Sequence, residues 1–151
     1  MRTVLDEAEM WFVHAIVYRG DLHVIVVEGF TSDAPRDIHV GDYLLQNVHP
    51  IEVEKESRFF EVRFPRPVAW QVVDEEYSRW DEYEQGDTGT LRILEQSRYF
   101  DYVKENHGWF ADTVGPAKHY RLWTADEVVD VVACTPPTIE TWVPPDESTD
   151  Q

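Results

Sequence analysis

Trp11-Phe-Val-His-Ala-Ile-Val-Tyr-Arg-Gly-Asp-Leu-His-Val-Ile-Val-Val-Glu28 is the stretch that decides the fold. Two β-branched, aromatic-rich runs flank Gly20-Asp21, a favoured two-residue hairpin loop. In that register Phe12, His14, Ile16 and Tyr18 share a face with His23, Ile25 and Val27, while Trp11, Val13, Ala15 and Val17 join Leu22, Val24 and Val26. Both faces are apolar, which predicts a hairpin at the centre of a sheet.

Further along, Ile38 to Val48 and Ile51 to Glu56 read as extended, with His49-Pro50 marking a bend. Phe60, Val62 and Phe64 alternate with Phe59, Glu61 and Arg63, so one face of that strand looks inward. Pro65 and Pro67 remove two ladder donors and predict a corner before Val68 to Val73 resumes as a strand. Gly86 and Gly89 bracket a turn, and Leu91 to Leu94 is a short strand. Ser97 can cap a helix over 97–106 whose inner face carries Tyr99, Phe100 and Val103, with Asn106 to Gly108 as its stop. Residues 107–118 read as a loop before the strand His119 to Trp123. Thr124 to Glu127 matches a capping box, yet the following Val-Val-Asp-Val-Val is β-branched and predicts a turn and a strand.

The expected class is α+β: mostly antiparallel β, a curled sheet or partial barrel, with one main helix near 97–106. A sandwich and a barrel both fit this pattern. Residues 1–142 read as a single globular domain, and 143–151 as a disordered acidic tail with too little apolar content to pack.

With 151 residues and 42% hydrophobic content, one domain can bury roughly 70% of its unfolded surface. Six Trp, seven Tyr and seven Phe separate the chain from acidic disordered proteins, which are poor in large apolar side chains. Thirty acidic residues against thirteen basic ones leave a formal charge of −17, which repels nucleic acid and anionic membranes. No apolar stretch approaches the roughly 20 residues of a membrane span. The lone Cys134 excludes an internal disulfide and suits a reducing compartment, so the cytoplasm is the expected location.

The chain carries few local signatures of catalysis. The histidines at 14, 23, 39, 49, 107 and 119 show no zinc spacing, and no metal or cofactor is implied. No Gly-x-Ser-x-Gly surrounds a serine, and no glycine-rich phosphate loop is present. Cys134 follows an apolar strand and reads as a buried spacer. Asp130 sits between Val128 and Val132 on one strand face, where its charge is costly unless Arg121 or His119 pairs with it.

The acidic run Asp74-Glu-Glu-Tyr-Ser-Arg-Trp-Asp-Glu-Tyr-Glu-Gln-Gly-Asp87 stands out. As a binding surface it offers Asp74, Glu75, Glu76, Asp81, Glu82 and Glu84 as field, with Tyr77, Trp80 and Tyr83 as aromatics and Trp80 and Tyr83 as the expected anchors. As a solvated loop it keeps those aromatics tucked inward and uses its charges to discourage edge pairing. Paired acids beside aromatics also fit a sugar site, where two carboxylates divide acid and base work.

Three short runs add a family likeness. Ser97 to Val103 (Ser-Arg-Tyr-Phe-Asp-Tyr-Val), Gly115 to Tyr120 (Gly-Pro-Ala-Lys-His-Tyr) and Val128 to Val132, followed by Pro137 and Ile139, resemble a group of small acidic bacterial proteins of uncharacterised activity. The likeness covers roughly residues 60–140. Some proteins of that kind are immunity partners of secreted toxins, so it implies a non-enzymatic protein that binds a basic toxin or nuclease. The alternative is a small enzyme using carboxylates and His119, or a binder of a carbohydrate or other small molecule.

Overall fold

The computed structural model describes residues 1–146. A 3-10 turn at Val4–Glu7 opens the chain, capped by Thr3 in a reciprocal box with Asp6. Ten of the following strands form two antiparallel five-stranded sheets, and two more form a separate arm. The class is α+β, dominated by antiparallel strands, and neither sheet closes into a barrel.

The first sheet runs β1 (Met10–Arg19), β2 (Asp21–Thr31), β6 (Phe59–Phe64), β12 (Thr138–Thr141), with β5 (Ile51–Glu52) pairing the end of β2. The β1–β2 hairpin forms around Gly20, whose φ of +81° is open to glycine at no steric cost. Its expected central position holds only for β2, which is buried on both faces, whereas β1 is a sheet edge. The expected faces also change partway. An irregularity between Val13 and Ala15 shifts the register, so Trp11 and Val13 stay with the core face but Ile16, rather than Val17, pairs with Val24. One extra residue in an edge strand turns every later side chain over.

β3 (Arg36–Val40) and β4 (Tyr43–Val48) form the arm, so the stretch 38–48 is two strands rather than one. Gly41, at φ +61°, turns it. Val40, Tyr43, Leu44 and Leu45 on this arm are all exposed.

The second sheet runs β7 (Ala69–Asp74), β11 (Glu127–Ala133), β10 (Lys118–Trp123), β9 (Leu91–Gln96), β8 (Gln85–Gly86). It faces the first across one shared core. Leu22, Val24, Val26, Phe60, Val62 and Phe64 meet Leu91, Tyr120, Leu122, Val129 and Val131, with Leu5 and Trp11 closing one end. Each fully buried aliphatic side chain contributes about 1.5–3 kcal/mol, which makes this interface the main source of stability.

Helix α1 (Arg98–His107) covers part of the second sheet's other face, packing Phe100 and Val103 on Val132. Ser97 caps it, its Oγ accepting from Phe100 N–H at 2.9 Å. β11 is therefore buried on both faces: Val129, Val131 and Ala133 enter the shared core, and Val128, Asp130 and Val132 lie under the helix and the acidic segment. The region expected to be loop after α1 holds a short second helix, α2 (Phe110–Thr113). β12 follows Pro136-Pro137 as an edge strand, where a missing donor costs no ladder bond. Trp142 then lies against His14 and Phe59 on the first sheet's outer face. Of the expected tail, Val143–Asp146 are exposed, and 147–151 lie outside the described residues.

Candidate functional site

The acidic segment begins where β7 ends. The Asp74 carboxylate accepts from Glu76 N–H at 2.9 Å and so caps a 3-10 turn at Glu75–Tyr77. From there the chain crosses the face of β9 and β10 that α1 leaves uncovered, and three side chains fasten it. Asp81 accepts from Tyr83 N–H at 3.0 Å and from Arg98 Nε at 2.9 Å. The Tyr83 hydroxyl donates to Asp101, and the Arg98 guanidinium lies 4.9 Å from the centre of the Tyr83 ring. Glu84 takes Arg121 Nη1 at 2.7 Å.

These bonds sort the segment into two sets. Asp81, Tyr83 and Glu84 hold the loop to α1 and β10. Tyr77 and Trp80 project from it at 74% and 83% exposure, and Glu76 and Glu82 are exposed beside them, with Glu75 half-buried. Among the described residues the carboxylates of Glu75, Glu76 and Glu82 have no ion-pair partner. Tyr83, one of the two expected anchors, has its ring against Arg98 and its hydroxyl on Asp101. Tyr77, by contrast, projects outward as Trp80 does.

Electrostatics agrees with the sorting. The bond from Tyr83 N–H holds Asp81 below the usual carboxylate range, with Arg98 adding to it, and the bond to Asp101 raises the Tyr83 phenol. Both stay in their charged and neutral forms, respectively, at neutral pH.

Beneath the segment lies a buried polar chain. Asp130, 3% exposed, accepts from His119 Nε2 at 2.7 Å, Arg121 Nε at 2.8 Å and Gln71 Nε2 at 3.1 Å. Burial pushes its carboxyl up, but the His119 and Arg121 contacts outweigh this and leave it lowered. Burial likewise opposes the charge on Arg121, and Glu84 and Asp130 more than offset it. His119 Nδ1 stands 2.7 Å from Ser97 Oγ. With its hydrogen on Nε2, the imidazole donates to Asp130 and accepts from Ser97, whose oxygen accepts from Phe100. One continuous run of bonds thus joins the helix cap to the acidic loop through β10 and β11. Both Arg121 and His119 serve Asp130, because the β10–β11 hairpin sets Arg121 opposite Asp130 and His119 one diagonal away.

Ser97, His119 and Asp130 are also the residue types of a nucleophilic relay, but their geometry is that of a brace. All three are buried, Ser97 Oγ is occupied as a cap, and the ring presents Nδ1 to serine and Nε2 to aspartate, the reverse of the serine-protease arrangement. Cys134 is equally unsuited to attack: burial raises its thiol pKa, and Sγ donates to Gly115 O at 3.5 Å. No cluster of three or more His, Cys, Asp or Glu suited to a metal occurs among the described residues.

Between the acidic loop and the second sheet lies an open cleft of about 400 Å³, bounded by Arg79, Trp80, Asp81, Glu84, Arg92 and Trp123 among others. Gln71, Arg79, Arg92, Arg98, Asp101 and Trp123 are participants the sequence does not single out, and Ser97, expected as the helix cap, also joins the buried polar chain. The strand alternation at His119, Arg121 and Trp123, opposite core-facing Tyr120 and Leu122, is the signal that groups three of the site's side chains on one face. Among the described residues no helix is long and apolar enough to cross a membrane. Comparison with protein-family models, with curated proteins and with solved structures finds no match to this chain.

Proposed function

We propose that this chain is a non-enzymatic, acidic protein-binding domain that presents the Asp74–Glu84 surface to a basic protein, and that it acts in the cytoplasm as an immunity-type partner neutralising a basic toxin or nuclease. The observation that carries this reading is Trp80, held 83% exposed on a loop tied before it by the Glu75 N–H bond to Asp126 O and after it by Asp81 and Glu84, with Tyr77 and the unpaired Glu75, Glu76 and Glu82 around it. An exposed tryptophan on a pre-ordered loop loses little entropy on binding, and surrounding carboxylates steer a cationic partner. Ionised Asp81 and Asp87 in the adjacent cleft also favour binding over proton transfer, since neither is poised as an acid near neutral pH.

The sequence likeness and the charge of −17 together support a basic toxin as the partner. The test is site-specific photocrosslinking in the native cell, with a benzophenone amino acid at position 80 and, as control, at the equally exposed Trp109. The reading expects a discrete adduct at 80, absent at 109, whose partner is basic and binds the purified domain. An adduct common to both positions, or an acidic partner, overturns it.

A further inference from the structure

The cleft beside Trp80 is lined by as many arginines as carboxylates, Arg79, Arg92 and Arg121 against Asp81, Glu84 and Asp87, in a chain of charge −17. Each carboxylate on its walls is already matched: Asp81 by Arg98 at 2.9 Å, Glu84 by Arg121 at 2.7 Å, and Asp87 by the N-terminal ammonium. Arg121 is in turn neutralised by Asp130 as well as by Glu84. Two guanidinium groups remain. Arg92 donates only its Nε, to Gly89 O at 2.7 Å, while its guanidinium lies over the Trp123 ring at 5.5 Å. Exposed Arg79 has no hydrogen-bond or ion-pair partner among the described residues. In a chain of charge −17 these two arginines line one concave site together with two tryptophans.

We infer that this cleft binds a small organic monoanion, a carboxylate carried on a flat aromatic body. The unpaired guanidinium of Arg79 and the two Nη groups of Arg92 match the planar geometry and paired lone pairs of a carboxylate. Trp80 and the stacked Arg92–Trp123 pair offer flat surfaces to an aromatic ring. A volume of about 400 Å³ suits a ligand of that size. The matched but nearby oxygens of Asp81, Glu84 and Asp87, set in the field of the whole chain, penalise a phosphate dianion more than a monoanion. Trp80 and Arg79 are shared with the surface assigned to the protein partner, whereas Arg92 and Trp123 lie outside it, so benzoate binding through Arg92 tests this site separately from that surface.

The test titrates the intact protein with benzoate and follows the tryptophan indole N–H signals by NMR, with Trp80→Phe and Trp123→Phe variants assigning those two. Saturable movement of the Trp80 and Trp123 signals is expected. Benzyl alcohol and inorganic phosphate should each bind at least about tenfold more weakly, the first for lack of charge and the second for excess of it. Arg79→Gln with Arg92→Gln should weaken benzoate by at least about tenfold. Arg79→Gln alone, at an exposed and unpaired position, guards against a folding defect and should weaken it measurably at unchanged melting temperature. Absence of saturation, equal binding of benzyl alcohol or phosphate, or benzoate binding indifferent to both arginines overturns the inference.

Discussion

Replacing Asp130 by asparagine tests whether the buried polar chain is what fastens the acidic loop to the sheet. The side chain keeps its size, so no cavity opens and the change isolates charge. Two of the three bonds it accepts come from His119 and Arg121 at 2.7 and 2.8 Å. A hydrogen bond to a charged partner is worth about 1.5–3 kcal/mol against about 0.5–1.5 for a neutral one, so two weakened bonds cost about 2–3 kcal/mol. The asparagine amide also meets Gln71 Nε2, donor to donor, unless one of them turns. Arg121 keeps Glu84, which holds the loss below the full 3–5 kcal/mol of a broken buried pair. Equilibrium urea unfolding measures this directly. The folded-state pKa of Asp130 is lowered, so its stabilisation is complete above the unfolded carboxylate range near pH 4 and is lost as pH falls through the folded value. The difference between wild type and Asp130→Asn should therefore be largest near neutral pH and shrink toward acid. A variant within about 0.5 kcal/mol of wild type at pH 7, or a difference that grows toward acid, refutes the reasoning.

Trp80→Ala should change unfolding free energy by less than about 0.5 kcal/mol in the same assay, because the ring packs on little and its loss opens no cavity. Gly86→Ala should destabilise by about 1–3 kcal/mol, since a Cβ there would meet Ile93 O at 2.5 Å and Leu94 Cα at 2.9 Å, both backbone atoms of β9. Amide hydrogen exchange should show the loss concentrated at the β8–β9 pairing, and protection equal to wild type there would contradict it.

Much of the fold is legible in the sequence, and the parts that are not share physical causes. Ser97 announces α1 because a cap hydroxyl must precede a helix, and Gly20-Asp21 announces the first hairpin because the turn needs a positive φ. Gly41-Asp42 carries the same signal, yet the apolar run from Tyr43 shows no alternation to mark a second strand, since the arm leaves both its faces exposed. The irregularity at His14 has no local mark at all: an extra residue in an edge strand is tolerated by the solvent beside it. β12 is hidden by Pro136-Pro137, which reads as a stop although an edge strand tolerates it.

The site divides in the same way. Asp130 stands out because a carboxylate between Val128 and Val132 demands a partner, and Arg121 and His119 lie within one hairpin of it. That Glu84 and Ser97 extend the same chain depends on packing between segments distant in sequence, which spacing does not encode. Which aromatics of the acidic segment face outward is likewise decided elsewhere, by Arg98 and Asp101 on α1 drawing Tyr83 in and leaving Trp80 out.

If Glu75, Glu76 and Glu82 steer a basic protein onto Trp80, the association rate of the crosslinked partner depends on ionic strength. Glu84 is left unchanged in this design because its bond to Arg121 is structural. The wild-type rate should fall steeply with salt, a Glu75→Lys, Glu76→Lys, Glu82→Lys variant should be at least about tenfold slower at low salt, and the curves should converge as salt screens the charges. Trp80→Ala should leave the association rate nearly intact and speed dissociation instead, by about 2 kcal/mol. A triple variant that associates as fast as wild type, with the same salt dependence, would contradict the claim and leave the Asp74–Glu84 surface a solvated edge.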